Sequence, residues 1–141
     1  NLSEQPILYI NIAGNYGPMS ISQITGNIAS IVEIAHANGI NVVLASVLPI
    51  SDYNKNRNGE TIVRSLQRKP AEILEINNFI KKYCNEKKLV YLDYYSATVD
   101  DKGFLKPELA NDGLHPNAVG YKIMQKLAAE AIEKALKNKQ K

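Results

Sequence analysis

"INVVLASVLP", residues 40–49, is an almost unbroken apolar run, rich in β-branched residues and closed by a proline. A strand with one face in water alternates apolar and polar side chains. This one does not, so both of its faces need cover, as for a central strand of a parallel sheet lying between helices.

The neighbouring segments fit that frame. On the N-terminal side, "SISQITGNIASIVEIAHANG" (20–39) repeats Ile24, Ile28, Ile31 and Ile34 at helical spacing and ends on Gly39, a C-cap residue. Before it, "ILYINIAG" (7–14) reads as a buried strand over Ile7 to Ile12 that stops at small residues. On the C-terminal side a polar stretch (51–68) leads to Pro70, which opens the helix "PAEILEINNFIKKYCNEKK". A third strand, "LVYLDYY" (89–95), precedes an irregular stretch to Pro116. The last helix, from about Asn117 to Lys137, carries Val119, Ile123, Leu127, Ala131 and Ile132 on one face. Strands alternating with helices imply right-handed crossovers and an α/β fold of three layers. Three strands are few for three long helices, so the sheet is expected to be incomplete in this sequence.

The 141 residues, 45% hydrophobic, suit one domain with its own core. The net charge of +3 is diffuse apart from the tail Lys134, Lys137, Lys139 and Lys141, a solvated helix end rather than a nucleic-acid footprint. No nucleic-acid partner is expected. No apolar run reaches the length of a membrane span, and "NLSEQP" has no signal-peptide pattern. The single cysteine, Cys84, excludes an internal disulfide and a cysteine-based zinc site, and its helical spacing from Ile80 marks it as half-buried core. No metal or other cofactor is expected.

Ligands of open parallel sheets bind beyond the carboxyl ends of the strands. The segments there are "AGNYGPMS" (13–20), "PISDYNKNR" (49–57) and the loop into "NDGLHPNAVGYKIM" (111–124). In the last of these, Asp112 and His115 stand three apart before a helix. A carboxylate on a turn can reach back to one imidazole nitrogen, leaving the other free to take a proton from a hydroxyl nucleophile. The same spacing also suits a turn-capping aspartate beside a surface histidine. One His and one Asp are too few for a metal, and the other histidine, His36, lies in the last turn of a distant helix. Tyr94, Tyr95, Asp100 and the 51–60 loop sit near the same end of the sheet as ordinary strand and loop residues.

"DGLHPNAVGYKIM" resembles the last signature block of the SGNH, or GDSL, esterase and lipase family, in which Asp-x-x-His-Pro supplies the triad aspartate and histidine. "INVVLASVLP", "ILEINNFIKKYC" and "LVYLDYYSA" resemble that family's order of segments: a strand ending in Ser-x-Leu-Pro, a helix carrying an Asn, a strand ending in Asp. The resemblance spans roughly residues 6 to 133. It implies a flavodoxin-like sheet and a serine esterase acting on small acyl esters, acetyl groups on carbohydrate among them, with Asp112 and His115 in the triad and no cofactor. The family's Gly-Asp-Ser block is not in this sequence, since no serine here follows Gly-Asp at a strand end. The nucleophile is therefore expected on an N-terminal segment outside it. The family's Gly-x-Asn-Asp block matches "AGNY" if the strand "ILYINI" is aligned, which makes Asn15 the oxyanion donor. Aligned from "GNYGPMSISQITGNIAS" instead, the block falls on Leu8 to Asn11 and leaves that position without an asparagine. Loss of the first strand would expose the edge at Ile7 to Ile12, which is expected to pair with an N-terminal fragment or a second copy. The alternative is a non-catalytic relative that binds carbohydrate or a protein.

Overall fold

The computed structural model describes residues 6–10 and 19–138. Three parallel strands, β1 (Ile7–Ile10), β2 (Asn41–Ala45) and β3 (Val90–Leu92), form a sheet in the order β1-β2-β3. Helices α1 (Ile21–Ala37) and α2 (Pro70–Lys87) are the two crossovers, followed by a short α3 (Tyr94–Thr98), a 3-10 turn (Pro107–Leu109) and α4 (Ala118–Lys137).

The apolar run of β2 is explained by its two faces. Val42 and Leu44 pack with Ile24, Ile28 and Val32 of α1 and with Ile73, Ile76 and Ile80 of α2. Val43 and Ala45 point the other way, to Met124, Ala131 and Ala135 of α4. All five strand residues are buried, giving the three-layer, flavodoxin-like α/β fold.

Local chemistry sets the helix ends. Ser20 caps α1 in a reciprocal capping box with Gln23. The helix closes on Gly39 at φ 68, whose N–H donates to the His36 carbonyl while Ile40 N–H reaches Ala35, so Gly39 lies one residue beyond the cap, Asn38. Asn77 of α2 is buried and ties the helix to the end of β2: its Nδ2 donates to the Val47 carbonyl at 2.9 Å and its Oδ1 accepts Val47 N–H at 2.7 Å.

Several expectations need correcting. On α1 the buried stripe is Ile24, Ile28, Val32 and Ala35; Ile31 and Ile34 face outward, Ile34 at 65% exposure, because the helix is covered on one side only. On α4 the buried positions are Gly120, Met124, Ala131 and Ala135, whereas Val119 and Ile132 are exposed. Small residues take the buried face because the helix lies close to its support: a Cβ on Gly120 would stand 2.7 Å from the Leu109 carbonyl. Cys84 is fully buried rather than half-buried, and burial pushes its thiol up to about 12. The third strand ends at Leu92, because Asp93 caps a helix there, its Oδ1 accepting Ser96 N–H at 3.0 Å; Tyr94 and Tyr95 are therefore helical. No helix among the described residues is long and apolar enough to cross a membrane.

Candidate active site

Asp112 and His115 lie on the loop between the 3-10 turn and α4, and both ends of that loop are pinned. Asn117 caps α4 through Val119 N–H at 2.9 Å and Gly120 N–H at 3.2 Å, while its own N–H donates to the Leu109 carbonyl at 2.8 Å. Across from it, Ser51 N–H donates to the Gly113 carbonyl at 2.9 Å. Gly113 has φ 74, and a Cβ there would collide with the Ser51 carbonyl oxygen. The glycine therefore lets the loop lie against the segment after β2.

Within the loop the Asp112 carboxylate does two jobs. Oδ1 accepts the N–H groups of Leu114 at 3.0 Å and His115 at 2.8 Å, a turn cap. Oδ2 stands 2.7 Å from His115 Nδ1. The two readings open in the sequence are thus both realised, one by each oxygen. Partial burial disfavours the charged carboxylate, but the bonds from the His115 N–H, the His115 ring and the Leu114 N–H outweigh it and hold Asp112 at about 2. A carboxylate charged throughout the neutral range fixes Nδ1 as the donor, so the lone pair of neutral His115 resides on Nε2. The ring is 76% exposed, and among the described residues Nε2 makes no hydrogen bond.

Arg64 completes the cluster and was invisible in the sequence. Its Nε donates to the Asp112 carbonyl at 3.0 Å and its Nη2 lies 3.5 Å from Asp112 Oδ2. Arg64 is held in turn by Asp52, whose carboxylate accepts Arg64 N–H at 2.6 Å, Ser65 N–H at 3.0 Å and Ser65 Oγ at 2.6 Å. Forty-eight residues separate Arg64 from Asp112, and no local pattern in a polar loop announces such a contact.

The other candidate residues are structural or lie elsewhere. Asp100 accepts Lys102 N–H, Phe104 N–H and, at 2.7 Å, the Tyr53 hydroxyl; that last bond pushes Tyr53 up to about 12. Tyr94 is buried and its hydroxyl accepts that of Tyr9 at 2.9 Å. Among the described residues no serine hydroxyl hydrogen-bonds His115: Ser46 accepts Tyr95 N–H, and Ser51, Ser65 and Ser96 donate to Asn54, Asp52 and Asp93. Asn15 lies outside the described residues.

Comparison with known proteins adds the family. Residues 4–123 match the GDSL-like lipase/acylhydrolase family. The chain belongs to that family. A candidate acylhydrolase from Bacteroides fragilis is 34% identical over 93% of this GDSL-family chain, with a TM-score of 0.78. A GDSL-like lipase from Bacteroides thetaiotaomicron is 33% identical over the same share, TM-score 0.74. A lipase/acylhydrolase from Enterococcus faecalis, 20% identical over 98% of the chain with a TM-score of 0.69, shares the fold. This chain spans 62% of the length of each Bacteroides protein and 65% of the Enterococcus one. A comparison with curated protein sequences finds no match.

Proposed function

We propose that these residues are the C-terminal portion of a serine esterase acting on small acyl esters, acetylated carbohydrate among them. The observation that carries the reading is the 2.7 Å contact between His115 Nδ1 and Asp112 Oδ2, with Nε2 left open, in a GDSL-family chain. A serine from a segment outside these 141 residues attacks the acyl carbonyl as His115 Nε2 takes the hydroxyl proton. The tetrahedral intermediate collapses, the alcohol leaves with the proton from His115, and an acyl-serine remains. Water, deprotonated by the same nitrogen, then releases the acid and restores the serine. Asp112 orients the ring and stabilises the imidazolium in both halves. Asn15 is assigned to the oxyanion, where a side-chain amide is typically worth about 3 to 4 kcal/mol.

Two measurements test this. The 141-residue chain alone should hydrolyse 4-nitrophenyl acetate no faster than its His115→Ala variant, since on this reading the attacking serine lies outside both. The coding sequence upstream of Asn1 should contain a strand ending in Gly-Asp-Ser, and the longer polypeptide should turn over the ester in a His115-dependent way. Turnover by the chain alone that needs His115 would place the serine inside it. An upstream sequence with no such strand would favour the non-catalytic binding module.

A further inference from the structure

Three segments of the chain are bonded to one another pairwise around Asp112. Ser51 N–H donates to the Gly113 carbonyl at 2.9 Å, and Asn54 Nδ2 donates to the Ala110 carbonyl at 3.2 Å, so the segment after β2 lies along the His115 loop. Asp52, in the same segment, takes the N–H groups of Arg64 and Ser65 and the Ser65 hydroxyl on its carboxylate. Arg64 closes the triangle by reaching Asp112 with its side chain. The backbone of Arg64 is fixed a second time, because its carbonyl accepts Gln67 N–H and Arg68 N–H, each at 3.1 Å.

The way Arg64 meets Asp112 shows what it adds. An ionised carboxylate offers about four lone-pair positions. On Asp112, Oδ1 holds the Leu114 and His115 N–H groups, and Oδ2 holds His115 Nδ1 and faces Arg64 Nη2. Arg64 therefore occupies the last position, on the oxygen that orients the imidazole, where a water would otherwise enter. Its firmer bond, from Nε to the Asp112 carbonyl at 3.0 Å, fixes the backbone of the same residue. A guanidinium spans both groups because its donors form a planar fork, whereas an ammonium at that place would reach only one of them.

Two effects of Arg64 on the contact between Asp112 and His115 have opposite signs. A cation beside Oδ2 draws charge from that oxygen and weakens its hold on Nδ1–H. A fixed carboxylate, by contrast, keeps Oδ2 aimed at the ring. The Nη2 contact, at 3.5 Å, is at the outer limit for a hydrogen bond, against 2.7 Å for the ring nitrogen. Both partners are also partly open to solvent, the Arg64 side chain at 24% and that of Asp112 at 34%. Charge pairing at that distance and exposure is weak, so positioning outweighs it.

We infer that Arg64, anchored by Asp52, is a positioning residue for His115: it locks the Asp112 carboxylate so that the imidazole keeps its proton on Nδ1 and its lone pair on Nε2. The kinetic consequence rests on the esterase reading; the tautomer does not.

The ring nitrogen chemical shifts of His115, read through its carbon-bound protons at alkaline pH in the 141-residue chain, give the share of each tautomer. Wild type should carry the proton on Nδ1. Arg64→Met should raise the share with the proton on Nε2 about fivefold, the factor that one net hydrogen bond is worth. Arg64→Lys, which keeps the charge and loses the fork, should show at least half of that change, and it carries the measurement should the Met variant not fold. Gly59→Ala, which strains a turn without touching the cluster, should leave the tautomer as in wild type. In the longer polypeptide, Arg64→Met should lower kcat about tenfold or more and leave KM within about twofold, as misplaced reacting groups do. An unchanged tautomer in Arg64→Met, wild-type behaviour of Arg64→Lys, or a change of equal size in Gly59→Ala would overturn the inference. So would a larger Nδ1–H share in the Met variant, which would mean that the charge of Arg64 governs the contact. A longer polypeptide without esterase activity removes the esterase reading, and the tautomer measurement alone then decides for or against Arg64.

Discussion

At the scale of single residues, the Asp112 carboxylate joins loop structure to chemistry, and both functions depend on its charge. Its folded value of about 2 lies below the ordinary 3.8, so ionisation stabilises the fold above about pH 4, and the contribution fades as pH falls from about 4 to about 2. The full shift would correspond to roughly 2 kcal/mol, but the side chain is 34% exposed, and screening reduces this to about 1 kcal/mol. Asp112→Asn should therefore unfold at lower urea concentration than wild type at pH 7, and the two midpoints should converge towards pH 2. Midpoints that stay equally far apart over that range would contradict the assignment. Arg64 holds the same residue by two routes, and only the Nη2 route needs the carboxylate. In a urea-denaturation cycle, Arg64→Met should cost about 1 to 2 kcal/mol, and at least half of that should persist in the Asp112→Asn background, because the Nε bond to the Asp112 carbonyl survives.

At the scale of elements, two glycines with the same backbone sign separate conformation from crowding. Gly59 has φ 81 and open space where a Cβ would be, whereas Gly113 has φ 74 and the Ser51 carbonyl there. Gly59→Ala should cost about 1 kcal/mol by chemical denaturation, and Gly113→Ala about 2 kcal/mol or more, with displacement of the His115 loop visible in amide shifts. Equal costs would mean that the loop yields freely and does not position His115. The sequence announced most elements here, because strand and helix periodicities are local: β2, the Pro70 opening of α2 and the Gly39 stop were legible. It misplaced which side of α1 and α4 is buried, since Ile31, Ile34, Val119 and Ile132 are apolar enough to be counted as core until the neighbours are known. The short α3 was missed because Asp93 ends a strand and caps a helix at once.

At the scale of the whole molecule, cover on both faces of β2 has a measurable consequence. Val43 faces α4 and Leu44 faces α1 and α2, and both are fully buried. Val43→Ala and Leu44→Ala should each destabilise, by about 2 to 3 and 2 to 5 kcal/mol, measured by thermal or urea unfolding. A solvent-facing position in a two-layer sheet would instead leave one of the two nearly neutral.

The sequence by itself determined the α/β class, the alternation of strands and helices and the Asp112–His115 spacing, because each is written in patterns among near neighbours along the chain. The 2.7 Å His115–Asp112 contact spans three residues and is a property of one turn. Only the tertiary structure decided that Arg64 braces that turn and that Gly113 is required by the Ser51 carbonyl. Each of these joins segments tens of residues apart, where side-chain type constrains nothing until folding sets the distance.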